Sequence, residues 1–320
     1  MNEKKSFVIG LDGGGTKTAA ELCSLEGTVR AKAQGGPSNF QVIGVEQAAK
    51  TILDLVETCC DTAGCGTSAV AAVVAGLTGA GRPVDQQRMA VALKRMATAK
   101  RMGIPRFAVE SDARIALEGA FSGAPGVIVI AGTGSIVFGK DEKGRIHRAG
   151  GWGRLIGDEG SGYWIGTEAF RAVARMLDGR IKKTTLARIF TQRLGFGTQE
   201  SIITALYKEG FDIASVVPGV VEAAEKGDRI AGGILTKAAE DLVDVIQIAL
   251  IRLHATGRQS GKTAVSFAGS LITRENLYSR KVKGLIRKRL PRVLLRQPEA
   301  NPVHGAALIA LAVSQKHSKE

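Results

Sequence analysis

Apolar residues along the chain fall into two kinds of run, whose order predicts an α/β protein with mixed sheets. Short continuous apolar runs, as at 6–11, 69–75 and 126–131, indicate buried strands. Apolar residues at helical spacing, as at 44–60, 162–177, 214–226 and 228–256, indicate helices. The first 121 residues therefore predict three strands, a helix, a strand, a helix, a strand and a further helix.

The pattern of strands and glycine turns restarts about 120 residues later, which indicates an internal duplication. Each copy has a strand, a loop of small residues (DGGGT, then AGTGS) and two further strands, and it ends in a Gly-Gly pair. The turn between the two further strands is Glu-Gly in the first copy and Lys-Gly in the second. We expect residues 1–117 to form an N-terminal lobe and 118–300 a C-terminal lobe with a helical insertion. Residues 301–320 are expected to return to the first lobe as a helix.

Composition and charge narrow the class of protein. With 320 residues, 44% hydrophobic and 23% charged, the chain can bury two cores of ordinary size. The net charge of +14 would suit a nucleic-acid binder, but the basic residues are spread along the chain. The densest stretch, 280–296, interleaves Val, Ile and Leu, which indicates an amphipathic helix and strand with a solvated basic face. We therefore expect no nucleic-acid partner.

The sequence gives no sign of a membrane segment or of a disulfide framework. No run of 18 apolar residues occurs, and the chain enters a strand at once, without a signal segment. Cys23, Cys59, Cys60 and Cys65 lack metal-ligand spacing and are interpreted as reduced thiols. The expectation is a cytoplasmic protein without a membrane partner.

The loop DGGGTK at residues 12–17 has the composition of a phosphate-binding hairpin. Three glycines after a buried strand let backbone N–H groups point at an anion. We expect Gly13, Gly14, Thr16 and Lys17 to bind ATP, and Asp12 to hold Mg²⁺ through water. The alternative is a plain glycine-rich turn, and the spacing is not that of a Walker A loop.

A second hairpin occupies the equivalent place in the repeat. Thr133, Gly134 and Ser135 are expected to bind phosphate there, although a β-turn of small residues is the alternative. Gly269 and Ser270 follow a strand predicted at 264–268 and offer backbone approach to the adenine or ribose. An ordinary strand-to-helix turn explains these two residues nearly as well.

Asp112 is the candidate general base. It lies in the sequence ESDA where a predicted strand ends and a helix begins, the place where parallel sheets present active groups. Asp is also favoured as a helix cap, which is the alternative. Glu110 competes for the role, but on a strand it should point to the opposite face from Ser111.

Glycines, acids and aromatics are dense at 150–153 (GGWG) and 157–164 (GDEGSGYW). Carboxylates that accept from hydroxyls, beside flat rings that cover an apolar face, indicate a sugar site. The alternative is a glycine-rich loop with Trp as core filler. Asn39, after a Gly-Gly-Pro turn, offers an amide for further hydroxyl contacts, or else caps a helix.

In this order, DGGGTKT, GLTGAG, ESDA, AGTGS, GGWG and GDEGSGYW resemble the N-acetylglucosamine kinase and BadF/BcrA ATPase group of the actin, Hsp70 and sugar kinase superfamily. The resemblance implies two RNase H-like lobes with ATP in the cleft between them and Asp112 as catalytic base. It places these residues around the sugar: Asn39, Thr78, Asp112, Thr133, Gly151, Trp152 and Asp158. It places these around the nucleotide: Gly13, Gly14, Thr16, Thr133, Gly134, Gly269 and Ser270.

The expected activity is ATP-dependent phosphorylation of a hexose or amino-hexose at the 6-hydroxyl, with ATP and Mg²⁺ as cofactors. N-acetylglucosamine, glucosamine and glucose all stay open, because the chain also resembles broad-range hexokinases of this group. An ATPase activator of an acyl-CoA reductase or dehydratase is the alternative, but all four cysteines fall in the first lobe. A sugar sensor without activity is a further alternative, against which the presence of Asp112 argues. A homodimer is common in the group, and the sequence does not give the oligomeric state.

Overall fold

The computed structural model describes residues 5–255 and 261–315 and divides them into two units. The first unit comprises residues 5–125 and 297–315, and the second comprises 126–255 and 261–296. Each unit contains a five-stranded sheet with parallel and antiparallel pairs, so the expected α/β class with mixed sheets is confirmed. Functional lobes bounded at 117/118 and 300/301 stay a prediction.

The described residues form strands and helices in the order predicted. The strands are β1 Phe7–Gly13, β2 Thr18–Ser24, β3 Val29–Gly35, β4 Val70–Leu77, β5 Phe107–Ser111, β6 Gly126–Ala131, β7 Ser135–Lys140, β8 Ile146–Gly150, β9 Thr263–Ala268 and β10 Val293–Arg296. The α-helices are α1 Phe40–Ile43, α2 Val45–Ala63, α3 Pro83–Ala99, α4 Asp112–Ala120, α5 Gly162–Leu177, α6 Thr185–Arg193, α7 Gln199–Tyr207, α8 Val217–Glu225, α9 Arg229–His254, α10 Ser270–Thr273, α11 Leu277–Arg289 and α12 Pro302–Gln315.

The sheet of the first unit has the strand order β3-β2-β1-β4-β5. The β1 strand pairs antiparallel with β2 and parallel with β4, and β4 pairs parallel with β5. Every residue of β4 is buried, as a central parallel strand with both faces covered requires. The carboxyl ends of β1, β4 and β5 therefore lie at one edge of the sheet.

Helices cover both faces of this sheet. Ile9 belongs to a core with α2 and α3, whereas its neighbour Val8 belongs to a core with α4 and α12. Successive residues of a strand point to opposite faces, which explains the separation of the two cores. The last helix of the chain thus completes the first unit.

Two glycines let α12 approach the sheet and α4 closely. A Cβ at Gly10 of β1 would lie 2.2 Å from the Ala307 nitrogen, and a Cβ at Gly305 of α12 would lie 2.0 Å from the Ile115 carbonyl oxygen. Any side chain at either position would push α12 away from its neighbours. Because α4 begins at Asp112, this packing also fixes the start of α4.

The second sheet has the order β10-β9-β6-β7-β8 and repeats the pairing of the first. The β6 strand is antiparallel to β7 and parallel to β9, as β1 is to β2 and β4. The predicted duplication is therefore present in the topology. Helices α5 to α8 lie between β8 and α9 in the chain, and α9 runs for 26 residues along the second core.

A few predicted elements differ from the structure. Residues 214–226 were expected to form one helix, but a 3-10 turn at Ile213–Val216 precedes α8, because Pro218 starts a helix rather than continuing one. The short helix α1 was not predicted. The predicted end of a helix at 256 lies outside the described residues. The stretch 280–296 forms most of α11 and then β10, as predicted.

The part of the chain that the structure describes includes no helix with both the length and the apolarity of a membrane span.

The same substitution at two helical glycines should have opposite effects on stability. Gly305→Ala should lower the free energy of unfolding by about 1–3 kcal/mol, because the new methyl group meets the Ile115 carbonyl. Gly233→Ala in α9 should raise it by about 0.5–1 kcal/mol, because nothing lies within 4 Å of the new methyl group. Urea unfolding followed by circular dichroism measures both changes.

An equal rise in the free energy of unfolding of both variants would show that α12 does not pack closely on α4 through Gly305.

Candidate functional site

A chain of hydrogen bonds joins four sequence motifs at the edge of the first sheet. The Thr78 amide donates to the Gly13 carbonyl over 2.9 Å, and the Asn39 amide donates to the Gly14 carbonyl over 3.1 Å. The Thr78 hydroxyl donates to Asp112 Oδ2 over 3.0 Å. Residues that the sequence spreads over about 100 positions therefore meet where the parallel strands end.

Asp112 is exposed at this edge and does not cap α4. The capping residue is Ser111, whose hydroxyl oxygen accepts from the Arg114 amide over 3.2 Å. Asp112 Oδ1 accepts from the Ala113 amide over 2.8 Å. With one oxygen held by this amide and the other by Thr78, the carboxylate has a fixed orientation and still faces solvent.

Glu110 belongs to a different set of side chains. Burial raises its pKa, the Arg114 guanidinium lowers it, and the Glu118 carboxylate raises it. Arg114 forms an ion pair with Glu118 inside the same helix. Asp112, rather than Glu110, is therefore the carboxylate that meets Thr78 at the sheet edge.

Asp12 lies close enough to Asp112 for the two carboxylates to repel each other. Burial raises the pKa of Asp12, the Asp112 charge raises it further, and the Lys17 ammonium lowers it. Paired carboxylates of this kind are oxygen ligands that suit Mg²⁺, whose charge would relieve their repulsion. Asp12 therefore fits the expected metal role on the geometry of the first unit.

The loop after β1 presents several free amides. The Gly14 amide donates to the Lys17 carbonyl over 3.0 Å and closes the turn. Within the described ranges, the amides of Gly15, Thr16 and Lys17 have no acceptor, and all three residues are exposed. These N–H groups, the Thr16 hydroxyl and the Lys17 ammonium can all contact an anion.

The equivalent loop of the second unit is anchored to the start of α5. The Gly132 carbonyl accepts from the Gly162 amide over 2.8 Å, and the Thr133 carbonyl accepts from the Tyr163 amide over 3.0 Å. The Gly132 amide donates to the Gly134 carbonyl over 2.9 Å. Thr133 is exposed at the tip of this turn, so its hydroxyl is presented outward.

Asp158 packs against this second loop. A Cβ at Gly134 would lie 2.8 Å from Asp158 Oδ2, which explains why a glycine stands there. Asp158 Oδ1 accepts from the Gly153 amide over 3.1 Å. Burial raises the pKa of Asp158, and the hydrogen bond from Gly153 lowers it. The Ser135 hydroxyl donates to the Glu159 carbonyl over 2.8 Å and is thereby engaged within the protein.

The GGWG segment holds an exposed indole beside a cavity. The Arg148 guanidinium donates to the Gly151 carbonyl, and 73% of the Trp152 surface is exposed. A cavity of about 510 Å³ is lined by Trp152, Glu159 and Val245, among others. Glu159 Oε2 is buried and meets no donor among the described residues. An exposed ring beside hydrogen-bond acceptors is suited to a sugar.

A second cavity in this unit, of about 470 Å³, joins residues that the sequence placed near the nucleotide. Thr133 and Ser270 both line it. Gly269 has a φ of +90°, and a Cβ there would lie 2.4 Å from the Ala131 carbonyl oxygen. Only glycine therefore lets the chain pass the end of β6 at this point.

Sequence reasoning missed most of the wall of this cavity. The residues it missed are Asp212, Ala214, Ser215, Val217, Pro218, Val221, Glu222, Glu225, Leu271, Arg274, Glu275 and Asn276. They lie in or next to the 3-10 turn at Ile213–Val216, α8 and α10, and their order shows no ligand motif. Pro218 and Asn276 carry helix-start signals, but such signals are common in all proteins.

The structure distributes the candidate residues over both units. The first unit holds Asp12, Gly13, Gly14, Thr16, Lys17, Asn39, Thr78 and Asp112. The second holds Thr133, Gly134, Ser135, Gly151, Trp152, Asp158, Gly269 and Ser270. The individual ligand roles of these residues stay predictions. Asn39 also caps α1, because its Oδ1 accepts from the Gln41 amide.

Comparisons of this chain with protein families and with curated proteins give consistent results. The sequence profile of the BadF/BadG/BcrA/BcrD ATPase family matches residues 9–310. An N-acetylmuramic acid/N-acetylglucosamine kinase of Clostridium acetobutylicum is 32% identical over 307 residues, with 95% of this chain and 98% of the relative covered. An N-acetyl-D-glucosamine kinase of Dictyostelium discoideum is 29% identical, with 96% and 98% covered.

A solved structure is also similar over its whole length. It is a candidate N-acetylglucosamine kinase of Chromobacterium violaceum, with a TM-score of 0.70 and 28% identity. The similarity covers 96% of this chain and 99% of that one.

Asp12→Asn should stabilise the protein relative to the wild type, and the difference in the free energy of unfolding should grow as the pH rises. The folded state raises the pKa of Asp12 above its ordinary value of 3.8, so the wild type loses stability as the pH rises from about 3.8 through the raised pKa. Asn does not titrate and escapes this loss. Urea unfolding at pH 4 and pH 7, without divalent cations, should give a larger stability gain for the variant at pH 7.

Asp61→Asn, an exposed change on α2 of the same unit, is the control for the loss of one carboxylate. A gain for Asp12→Asn that is the same at both pH values would contradict the raised pKa of Asp12 and, with it, the effects of burial and of the Asp112 charge.

Proposed function

The chain belongs to the BadF/BadG/BcrA/BcrD ATPase family, and from that premise we propose that it is an ATP-dependent kinase that phosphorylates a hexose or amino-hexose. The fold agrees, because two RNase H-like units with mixed sheets make up the chain. The observation that carries the proposal is the exposed Asp112 carboxylate, oriented by Thr78 at the edge of the first sheet.

Asp112 acts as the general base for the sugar hydroxyl. Its carboxylate accepts the hydroxyl proton while the hydroxyl oxygen forms a bond to the γ-phosphorus of ATP. The bond from that phosphorus to the β–γ bridging oxygen breaks, and ADP leaves. The protein supplies mainly position and electrostatics, so a carboxylate held by Thr78 and the Ala113 amide suits the task.

Sugar recognition is assigned to polar groups of the first unit and to an exposed ring and a carboxylate of the second. In the first unit, Asn39 and Thr78 are connected to the glycine loop and offer an amide and a hydroxyl. In the second unit, the Trp152 indole covers an apolar sugar face, and Asp158 accepts from hydroxyl groups. Relatives described as kinases of N-acetylglucosamine support an amino-hexose as acceptor. The 6-hydroxyl stays the predicted site of transfer.

The nucleotide is assigned to the two glycine loops and the cavity beside Thr133. The free amides after Gly14 bind phosphate oxygens, and Pro218 and Leu271 provide apolar walls for the adenine. Asp12 would hold Mg²⁺ through water. When bound, this ion neutralises charge on the β- and γ-phosphates.

An activator ATPase with an iron–sulfur cluster fits the chain less well. Cys23, Cys59 and Cys60 are buried, and burial raises the pKa of their thiols to about 11, 11 and 12. Thiols that are buried inside the first unit cannot reach a cluster shared between subunits. A cytoplasmic location and a homodimer stay predictions.

Asp112→Asn should lower kcat by about 100-fold or more, because the amide cannot accept the hydroxyl proton. The affinity for ATP should stay within about twofold, because the amide keeps the shape of the carboxylate. A coupled ADP-release assay measures turnover, and calorimetry measures ATP binding.

Glu110→Gln, two residues away, is the matched control and should keep kcat within a few-fold. Near-normal turnover in Asp112→Asn, or a larger loss in Glu110→Gln, would assign the base elsewhere.

ADP release should depend on an added sugar. We expect at least a tenfold stimulation over the sugar-free rate by one member of a panel of glucose, glucosamine, N-acetylglucosamine and N-acetylmuramic acid, because the hydroxyl that accepts the phosphoryl group belongs to the sugar. ATP hydrolysis that no sugar stimulates, from a brown protein purified without oxygen, would favour the activator function instead.

A further inference from the structure

Three side chains with different ligand atoms meet away from the phosphate loops of the first unit. Glu21 and Cys23 are two residues apart on β2 and so share a face of the sheet. The first turn of α12 places His304 against that face, 283 residues away in sequence from Glu21. His304 Nδ1 lies 3.2 Å from Glu21 Oε2.

We propose that Glu21, Cys23 and His304 form a binding site for a thiolate-preferring divalent cation such as Zn²⁺. One carboxylate oxygen, the Cys23 sulfur and one imidazole nitrogen all lie within 4.8 Å of one another. Sulfur, nitrogen and oxygen are the donors that Zn²⁺ takes in proteins, at about 2.0–2.3 Å each. Small side-chain rotations bring the three atoms to that distance from a common centre.

The surroundings favour a tight site. Glu21 is 3% exposed and Cys23 is 0% exposed, so water competes little for the ion. Lys32 lies 3.1 Å from Glu21 Oε1 and orients the carboxylate, which leaves Oε2 directed at His304. The His304 side chain is 25% exposed and gives the ion a route from solvent.

The charges and protons of the site balance. Burial, and then the Glu21 carboxylate, raise the pKa of Cys23 to about 11, so its thiol carries a proton at neutral pH. Cation binding releases that one proton to solvent, so the divalent cation, the thiolate and the Glu21 carboxylate together carry no net charge, which suits a buried position. The Lys32 ammonium beside Glu21 carries one further positive charge, on a side chain that is 66% exposed.

Binding would tie the last helix to the second strand. The ion bonds to residues of β2 and α12, two elements that also share a buried core containing Cys23, Ala306 and Ala307. Because the unfolded chain does not hold the three ligands together, the ion should raise the stability of the first unit.

Cobalt provides a direct test on the purified full-length protein. Co²⁺ bound by a thiolate gives an intense near-ultraviolet charge-transfer band, which reports sulfur ligation without any activity assay. The wild type should bind one Co²⁺ with this band, and Zn²⁺ should displace it. Cys23→Ser should lose the band, whereas Cys65→Ser, a change at the most exposed cysteine, should keep it.

Two further measurements separate ligation from packing. Glu21→Gln and His304→Gln keep the thiol but should weaken Zn²⁺ binding by about tenfold or more. Zn²⁺ should raise the Tm of the wild type and leave that of Cys23→Ser unchanged.

The proposal is overturned if saturating Co²⁺ gives no charge-transfer band in the wild type. It is also overturned if the band disappears in Cys65→Ser, which would place the ion at another thiol. Equal Zn²⁺ affinity in the wild type, Glu21→Gln and His304→Gln overturns it even if Cys23→Ser does not fold. None of these results depends on kinase activity, so a failure of this proposal can be distinguished from a failure of the proposed function.

Discussion

Parallel pairing of β1, β4 and β5 is the constraint on which the first unit depends. The register sets Gly13 beside Leu77 and Leu77 beside Ser111, so the residues that follow each strand emerge at one edge. Backbone hydrogen bonds then fix the distances, and only Thr78 is needed to connect the glycine loop with the Asp112 carboxylate. A shift of one strand by a single residue would turn these side chains to the other face.

Sequence patterns were sufficient to predict the fold because the residues that indicate each strand and turn are neighbours in the chain. Buried parallel strands read as unbroken apolar runs, and the duplication repeats its turn residues at a constant interval, so both sheets could be predicted strand by strand. The ends of β6 and α5 agree with prediction to the residue. The break before α8 was missed because the segment keeps helical spacing through Pro218, and only the pyrrolidine ring marks the new start.

The candidate site was predictable only where chemistry and position coincide in a motif. Asp112, Thr78 and the glycine loop of the first unit stand next to strand ends, and their proximity follows from the topology of the first sheet alone. The cavity beside Thr133 depends on where α8 and α10 pack, which no residue spacing encodes. The same limit explains Glu21, Cys23 and His304: their proximity arises from how α12 returns to β2, and α12 packs through glycines that resemble any other helical glycine in sequence.

The position of α12 has a consequence for the order of folding during synthesis. The strands of the first unit leave the ribosome early, but the face of their sheet that α4 and α12 share stays partly open until residues 302–315 emerge. The second unit is continuous in the chain and has all its strands before that point. It can therefore fold first, while the nascent first unit keeps an apolar surface that chaperones recognise. A ribosome that stalls shortly before Pro302 would thus release a chain with one finished unit and one open sheet.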